Sequence, residues 1–426
     1  MKTGGREVKA LEMHELFRVA LGLDKPWQVD RVEFDAEQGH LELWLDFPRG
    51  SRFACPQCEK PGGAVHDTVE RTWRHLNFFE HRSDLHARVP RVKCPDCGVK
   101  TVEVPWARPG SGFTLLMEAF LLLLVQGGMT PAQVGRMVGE HDTRVWRVLR
   151  RYVEKARAEA DFSQVRTVGL DETSRARGHQ YISVFMDLAA GRRRVLFACE
   201  GRDGEAVGRF VEDLQAHGGS AEQVQRVCLD MSPAYLYGLQ EHLPDARITF
   251  DQFHLIKLAN DAVDRVRREE QRDRPELKKT RWLWLKNEWN FTADQAQTWA
   301  QLKGAHLRTA RAWSYKSQLQ DIFLPQNRPQ AEELLQSWCA AAQRSRLRPL
   351  ILLARTIRNH WTGILNWFDS RISNGILEAI NGLIQAAKRR ARGYRNPDYL
   401  ITMVYLIAGK LAFNLPAYSP SFTHSE

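Results

Sequence analysis

The sequence predicts a mixed α/β chain in which a central sheet is covered by helices and preceded by two small modules. Three observations support this class. Two Cys-x-x-Cys pairs lie near the N-terminus, and a helical region follows them. From Val165 onward, strand-like apolar runs alternate with helical stretches. Because 426 residues exceed what one hydrophobic core usually organises, we expect several domains.

Composition and charge narrow the functional classes. Hydrophobic residues make up 43% and charged residues 26% of the chain, which disfavours disordered and fibrous proteins. The formal net charge of +10 attracts polyanions such as nucleic acid. Residues 1–23 lack the apolar core of a signal peptide, and the apolar run 115–125 is too short to cross a bilayer. The sequence therefore predicts a cytoplasmic, nucleoid-associated protein without a membrane span.

Four of the seven cysteines form two knuckles. Cys55 and Cys58 make the first pair, and Cys94 and Cys97 make the second. Each pair can place two thiolates about 2.3 Å from one zinc ion, and the alternating segments 65–69 and 85–89 suggest strands that fold back between the pairs. The alternative is two unrelated pairs, one of them redox-active. We predict a structural Zn²⁺ in a zinc-ribbon-like module.

A helical region follows from Thr114 to about residue 160. Thr130-Pro131 combines a hydroxyl N-cap with proline at the first helical position, and Gly139 ends that short helix. A third helix begins near Asp142 and completes a helix-turn-helix pattern, whose last helix can enter a major groove. A solvated basic helix in a three-helix bundle is the alternative. The residues expected to contact DNA are Arg144, Arg147, Arg150 and Arg151.

From Val165 the hydrophobic period becomes that of strands. A three-stranded meander is followed by alternating helices and strands, which implies a mixed sheet covered by helices, the layout of the ribonuclease-H-like fold. The predicted strands are 165–170, 181–188, 194–199, 224–229 and 246–250, with helices over 205–217, from Ser232 and from about His254.

Two aspartates close the predicted first and fourth strands. Asp171 follows Val168-Gly169-Leu170, and Asp230 follows Val227-Cys228-Leu229. These strands should be adjacent, so the two carboxylates converge at one edge and offer oxygen ligands to a hard cation. The alternative is that each aspartate only ends a strand or caps a helix. Asp251 and His254 follow the fifth strand and are predicted to support the metal ligands or contact DNA, or to be a helix cap beside an ordinary histidine.

A third carboxylate is expected on a later helix. Glu378 lies within one turn of its start, and the predicted buried stripe of that helix is Ile376, Ile380, Leu383 and Ala387. A polar stripe contains Asn374, Glu378, Asn381, Gln385, Lys388 and Arg392. Taken alone, this stripe is better explained as the solvent-exposed face of a helix than as a binding site. Considered together with the two aspartates, it combines a metal ligand with DNA-binding groups. The residues that we select for DNA binding are Asn381, Lys388 and Arg392.

The segment between the second and third acids is too long for a loop and reads as helical. We predict the following domains: an N-terminal α+β segment (1–50), a zinc-binding module (51–109), a helix-turn-helix domain (110–160), the first part of a catalytic core (161–257), a helical insertion (258–365), the C-terminal part of the core (366–415) and a tail (416–426).

Four ordered motifs carry a family resemblance. They are Leu170-Asp171-Glu172, the run from Leu229 to Tyr235, the run from Phe250 to Lys257, and Ser373 to Glu378 with Lys388-Arg389 and Gly393 to Asn396. With the zinc module before them, these motifs resemble the insertion-sequence transposases of the ISL three family over nearly the whole chain. Gln252 stands where an arginine is expected, which affects only the third motif.

The resemblance implies a DNA transposase that binds the terminal inverted repeats of its element and catalyses metal-dependent strand cleavage and strand transfer. It assigns Asp171, Asp230 and Glu378 to two Mg²⁺ or Mn²⁺ ions on a ribonuclease-H-like core. Expected partners are double-stranded DNA, at element ends and target, and a second copy of the chain. Two alternatives stay open: a nuclease that cleaves without joining, and a non-catalytic zinc and helix-turn-helix regulator.

Overall fold

A computed structural model describes residues 12–176, 178, 180–324, 327–372 and 375–415. The chain divides into two compact units, residues 1–152 with 412–426 and residues 153–411. The predicted tail at 416–426 lies outside the described residues. Within those residues, none of the helices has the length and apolar character that a membrane span requires.

A six-stranded sheet forms much of the first unit. Its order is β1-β2-β5-β4-β3, with β6 beside β5. Leu41, Leu43 and Leu45 alternate inward along β2 and pack in one core with Trp73 and Leu85. Because β2 pairs with β5, the predicted ranges 1–50 and 51–109 share this sheet. The elements are α1 (Met13–Ala20), β1 (Gln28–Asp35), β2 (His40–Asp46), β3 (Arg52–Phe53), β4 (Gly63–Arg74), β5 (Arg82–Cys94) and β6 (Gly98–Thr101).

Three helices follow, α2 (Leu115–Gln126), α3 (Pro131–Val138) and α4 (Asp142–Ala158). The Thr130 hydroxyl accepts a hydrogen bond from the Gln133 N–H, and the Gln133 side chain accepts one from the Thr130 N–H, so the predicted cap is a full capping box. Gly139 ends α3 with φ at 70°, in the left-handed region. The predicted helix-turn-helix elements are therefore present.

The second unit is built on a five-stranded mixed sheet. The order is β11-β10-β7-β8-β9, in which β7, β8 and β9 form an antiparallel meander and β10 runs parallel to β7 and β11. The predicted neighbours, the first and fourth strands of this unit, are indeed paired. The elements are β7 (Thr167–Ala176), β8 (Gln180–Asp187), β9 (Arg194–Glu200), α5 (Glu205–Ala216), β10 (Arg226–Leu229), α6 (Pro233–His242), β11 (Arg247–Phe250) and α7 (Gln252–Glu270).

Helices fill most of the next hundred residues, as the sequence predicts. Trp284, Trp299 and Trp338 are buried, whereas Trp282 and Trp289 are exposed. The buried Lys316 ammonium donates to three consecutive carbonyls at the end of α8, which stabilises that helix end, and burial lowers the Lys316 pKa to about 8. The helices are α8 (Arg281–Leu285), α9 (Ala293–Lys303), α10 (Arg308–Ile322), α11 (Arg328–Arg344), α12 (Arg348–Asn359) and α13 (Trp361–Ser370).

Two helices end the described chain, α14 (Gly375–Arg390) and α15 (Pro397–Ala408). Of the predicted buried stripe of α14, Ala387 is buried, Ile376 and Ile380 are half-buried, and Leu383 is 55% exposed. Leu377 and Ile384 are buried instead. The reason is close packing on β7, because a Cβ at Gly169 would lie 2.6 Å from Leu377 Cδ1. The contact turns Leu377, rather than Ile376, toward the sheet. Asn374, which we placed on the polar stripe, lies outside the described residues.

Candidate active site and zinc centre

Asp171 lies within β7 rather than at its end. The predicted strand stops at Leu170, but β7 continues to Ala176 because β8 pairs with it as far as Ala176 and Gln180. The parallel pairing of β7 with β10 ends earlier, at Gly169 and Cys228. Asp171 therefore lies where β7 loses its parallel neighbour and keeps its antiparallel one.

Asp230 follows β10 directly. It lies two residues beyond Cys228, and Asp171 lies two residues beyond the partner Gly169, so the register puts both side chains on the same face of the sheet. Asp230 Oδ1 accepts a hydrogen bond of 3.0 Å from the Ser232 N–H, so Asp230 also shapes the turn into α6. Ser232 makes no side-chain cap, although it precedes Pro233.

The Asp171 carboxylate is held at both oxygens. Oδ1 accepts from the Glu172 N–H at 2.8 Å, and Oδ2 accepts from Asn381 Nδ2 at 2.7 Å. Burial raises the Asp171 pKa to about 6; the Glu172 N–H and His254 oppose the shift, and the charge of Asp230 adds to it. The electrostatic effect of Asp230 on Asp171 supports their closeness.

Glu378 lies on the first turn of α14 and is exposed. It makes no hydrogen bond or ion pair within the part of the chain that the structure describes. Asp171, Asp230 and Glu378 also do not form a group with all ligand oxygens within 4.8 Å. One helical turn after Glu378, however, Asn381 reaches Asp171. Helix α14, which carries Glu378, therefore contacts Asp171 through Asn381, but the carboxylates of Asp171, Asp230 and Glu378 do not meet.

Asp251 caps α7, as the alternative interpretation predicts. The residue is fully buried, and its Oδ1 accepts from the Phe253 N–H at 3.2 Å. His254 Nδ1 lies 3.8 Å from Asp251 Oδ2, and the charge of His254 lowers the pKa of Asp171. His254 is therefore electrostatically linked to Asp171, while Asp251 holds the helix start.

The polar stripe of α14 rests largely on β7. Gln385 Nε2 donates to Thr173 Oγ1 at 2.7 Å and to the Ser174 carbonyl at 3.0 Å, and Lys388 Nζ donates to the same carbonyl at 2.7 Å. Arg392, just past the helix, is exposed. Asn381 and Lys388, which we selected for DNA contact, thus have intramolecular partners in this structure.

The four arginines of α4 differ in their surroundings. Arg144 is ion-paired with Glu140, donates to the Gly112 carbonyl at 3.2 Å and lies 4.1 Å above the Phe113 ring. Arg147 and Arg151 are exposed and one turn apart on one face, and Arg150 is half-buried. The structure therefore leaves Arg147 and Arg151 as the pair most open to a ligand.

The four knuckle cysteines meet as predicted. Their Sγ atoms all lie within 4.8 Å of one another, and Cys58 Sγ is 3.6 Å from Cys94 Sγ. Tetrahedral zinc with bonds of about 2.3 Å requires sulfur atoms about 3.8 Å apart, so this cluster fits Zn²⁺. Backbone N–H groups of Cys58 and Gln57 lower the Cys55 pKa to about 7, which favours the thiolate that zinc binds. β4 and β5 form the predicted hairpin between the knuckles.

Comparison with known proteins decides the family. A model described as "Transposase", the DDE domain of the ISL3 transposases, matches residues 168–404, which is more than half of the chain. The chain belongs to the ISL3 transposase family. The helix-turn-helix domain of transposase family ISL3 matches residues 102–153, and the zinc-finger of transposases IS204/IS1001/IS1096/IS1165 matches residues 51–97, which contain the four cysteines.

Curated relatives agree with this assignment. The ISL3 transposase is 30% identical over 398 residues to the transposase for insertion sequence element IS1001 of Bordetella parapertussis, covering 89% of this chain and 95% of the relative. It is 29% identical over 430 residues to the transposase for element IS1557 of Mycobacterium tuberculosis, covering 92% and 94%. The protein is an insertion-sequence transposase with a zinc ribbon and a DNA-binding helix-turn-helix domain, and its family implies DNA cleavage and strand transfer.

Sequence reasoning missed two polar contacts of this transposase, one to the end of β7 and one to Glu172. Gln385, placed on the polar stripe but not selected, binds Thr173 and Ser174. Arg202 forms an ion pair of 3.1 Å with Glu172. Burial raises the pKa of Glu172, the charge of Arg202 opposes this shift, and the charge of Asp230 adds to it. The sequence shows that Gln385 is an amide on the polar stripe but does not show its partners. Arg202 lies in the loop after β9, and no motif around it predicts a contact with Glu172.

Proposed function

We propose that this transposase cuts and rejoins DNA with two divalent ions held by Asp171, Asp230 and Glu378 on a ribonuclease-H-like core. The observation that carries the proposal is the parallel register of β7 and β10, because it puts Asp171 and Asp230 on one face, just beyond the point where these two strands stop pairing with each other. The meander β7-β8-β9 with β10 and β11 parallel to β7 supports the fold assignment.

The donor set fits a hard cation such as Mg²⁺ or Mn²⁺. Asp171 has one hydrogen-bond donor on each oxygen and keeps further lone pairs, and Asp230 uses Oδ1 in its turn, which leaves Oδ2. Carboxylate oxygens bind Mg²⁺ while leaving other coordination positions to water and phosphate. A raised pKa at the buried Asp171 carboxyl is typical of a site where a bound cation would favour the ionised form.

Glu378 is the third ligand in this proposal because it is the sole acid on α14. Asn381, one turn later on the same helix, already reaches Asp171. A displacement or rotamer change at the start of α14 would be needed to bring the exposed Glu378 carboxylate to the aspartates. Asp251 would hold the start of α7, and His254 would lie beside it near the anionic ligands.

Asp171, Asp230 and Glu378 would hold the two divalent ions, which when bound would supply the Lewis-acid chemistry that activates a water or a 3′-hydroxyl and stabilises the leaving oxygen of an in-line displacement. Water first forms a bond to phosphorus at the element end, and the 3′-oxygen leaves with a proton. The freed 3′-hydroxyl then attacks a target phosphodiester, so one P–O bond forms as another breaks. The three acids would hold the ions against the scissile phosphate, and no covalent enzyme intermediate is required.

DNA binding is assigned first to α4. Arg147 and Arg151 would enter the groove, Arg150 would lie beside them, and Arg144 would stabilise the helix on its own unit. Lys388 and Arg392 would contact phosphates near the acids. We also propose that the protein acts in the cytoplasm at the nucleoid, that two copies assemble on the two element ends, and that the predicted domain boundaries divide these tasks.

The test uses purified full-length protein and a labelled element end in Mg²⁺ or Mn²⁺. Metal-dependent nicking that is lost in Asp171→Asn supports the proposal, and strand-transfer product distinguishes a transposase from a nuclease that only cleaves. Binding to the end with no metal-dependent nicking by the wild type would favour a non-catalytic regulator. Covalent protein–DNA product trapped during the reaction would contradict direct displacement.

A further inference from the structure

Helix α14 is attached to β7 by a row of contacts that all use β7 residues between 169 and 174. Leu377 packs on Gly169, Asn381 binds Asp171, and Gln385 binds Thr173 and Ser174. The alternate residues 169, 171 and 173 share one face of the strand, and positions 377, 381 and 385 recur at a spacing of four on one side of the helix. The row sets the register of the helix on the strand.

Asn381 differs from the other members because its partner is an acid of the proposed site. Its Nδ2 donates to Asp171 Oδ2 at 2.7 Å and lies 3.5 Å from the Glu172 carbonyl. Its Oδ1 is buried and has no hydrogen-bond partner within the described residues. Burying an amide oxygen without a partner costs free energy, so the benefit of this amide lies in its donor group, which reaches Asp171.

The chemistry of an amide suits that task. A neutral N–H donor fixes the orientation of a carboxylate without supplying the positive charge that a lysine or arginine would bring. A cation therefore still meets the full negative charge of Asp171. The second oxygen, Oδ1, is fixed by the Glu172 N–H at 2.8 Å, so the whole carboxylate plane is set before any ligand arrives.

We propose that Asn381 is a positioning residue that holds Asp171 for divalent-metal binding and fixes the distance of the Glu378 turn from Asp171. The inference rests on the proposed function of Asp171 as a metal ligand. Asn381 acts through Asp171, since its donor group touches the carboxylate and its helix carries Glu378 one turn earlier. We had expected DNA contact for Asn381, and this role replaces that expectation.

The chain offers a matched control in Gln385. Asn381→Leu and Gln385→Leu each remove an amide from α14 that binds β7, but only the first removes a contact with Asp171. We would measure Mn²⁺ binding to the full-length protein by the loss of the free-ion electron paramagnetic resonance signal, together with thermal unfolding. Loss of a group that hydrogen-bonds a metal ligand typically weakens metal affinity by about 10- to 100-fold.

The expected result is that Asn381→Leu weakens Mn²⁺ binding at least about tenfold, whereas Gln385→Leu leaves it within about twofold even if both lower the unfolding temperature similarly. High Mn²⁺ should then restore much of the cleavage by Asn381→Leu. Equal weakening by both variants would mean that the row only docks the helix, and unchanged binding by Asn381→Leu would equally overturn the proposal. Asn381→Ala, a smaller truncation, decides the question if the leucine variant does not fold.

Failure of the underlying metal site gives a different pattern. If Asp171→Asn binds Mn²⁺ as well as the wild type does, Asp171 is not a ligand, and the inference about Asn381 falls with the proposed function. If Asp171→Asn loses Mn²⁺ while Asn381→Leu and Gln385→Leu are indistinguishable, the metal site stands and only the role of Asn381 is wrong.

Discussion

The side chain of Asn381 donates a hydrogen bond of 2.7 Å to Asp171, which precedes it by 210 positions in the chain. The helical segment between α7 and α14 separates the two residues in sequence, yet both belong to the second unit. Leu377 against Gly169 repeats the contact one turn earlier. The helix that carries Glu378 is therefore part of the packing of the strand that carries Asp171.

Neutralising any one acid should remove catalysis and spare DNA binding. Asp171→Asn, Asp230→Asn and Glu378→Gln keep the side-chain shape but lose the charge that holds divalent ions, so each should abolish cleavage and strand transfer. Losses should be non-additive, because the ligands act as a unit. Cleavage of a labelled element end and gel-shift binding measure the two effects.

Glu212→Gln is the control for the acids, since Glu212 is an exposed glutamate on α5 of the same unit. It should cleave like the wild type. Substantial cleavage by Glu378→Gln would remove Glu378 from the site and direct the search to Glu172, which feels the charge of Asp230.

Removing one zinc ligand should unfold the N-terminal module. Cys94→Ser leaves three cysteines around the ion, and because the fold of small zinc modules depends on the metal, the zinc content of the protein should fall by one ion per chain. Binding to element ends should weaken. Metal analysis and limited proteolysis of β4–β5 measure the outcome.

Cys339→Ala serves as the matched substitution, because Cys339 is buried in α11, outside the four-cysteine cluster. It should keep its zinc. Wild-type protein that contains no zinc, with DNA affinity unchanged by chelators, would contradict the zinc assignment.

Arg147 should distinguish element ends from other DNA. If the exposed Arg147 reaches base edges, Arg147→Ala should weaken binding to the element end by about 1–3 kcal/mol and weaken binding to random DNA less. A phosphate contact would weaken both equally. Competition binding at fixed salt measures the difference.

Two substitutions frame this result. Arg49→Ala removes an exposed arginine from the loop after β2 and should leave the preference for element ends unchanged. Arg144→Ala removes packing against Phe113 and the Glu140 ion pair, so it should lower thermal stability. If wild type and Arg147→Ala bind every DNA with the same affinity, Arg147 does not contact DNA.

Metal affinity should fall steeply below about pH 6. Burial raises the Asp171 pKa to about 6, so the carboxyl is increasingly protonated below that value and must lose its proton to bind a cation. Apparent Mn²⁺ affinity should drop by up to about tenfold for each pH unit below 6 and level off above 7. A midpoint near pH 4 would contradict a raised pKa at Asp171.

The same shift predicts the pH dependence of stability without metal. A carboxyl whose pKa is raised on folding favours the folded state below its unfolded value of about 4, and that contribution is lost as the pH rises through about 6. Asp171→Asn should therefore gain unfolding temperature relative to the wild type at pH 7.5 and not at pH 4.5. Equal differences at both pH values would argue against burial as the cause.

Local patterns predicted much of the fold. The hydroxyl N-cap at Thr130, the end of α3 at Gly139 and the succession of strands and helices along the second unit follow from caps and periodicities within a few residues. Such signals did not give the end of β7, which depends on how far β8 remains paired. They also did not give the rotation of α14, which depends on the space above Gly169.

For the candidate site, residue chemistry at fixed spacing determined the ligand types: two C-x-x-C pairs for zinc, and acids after apolar strands for a hard cation. Tertiary structure alone decided which polar groups those acids meet. Asn381 reaches Asp171, Arg202 pairs with Glu172, and Arg144 packs on Phe113 while Arg147 stays exposed. The physical reason is that spacing and capping act between chain neighbours, whereas hydrogen bonds between distant residues depend on how helices and strands pack.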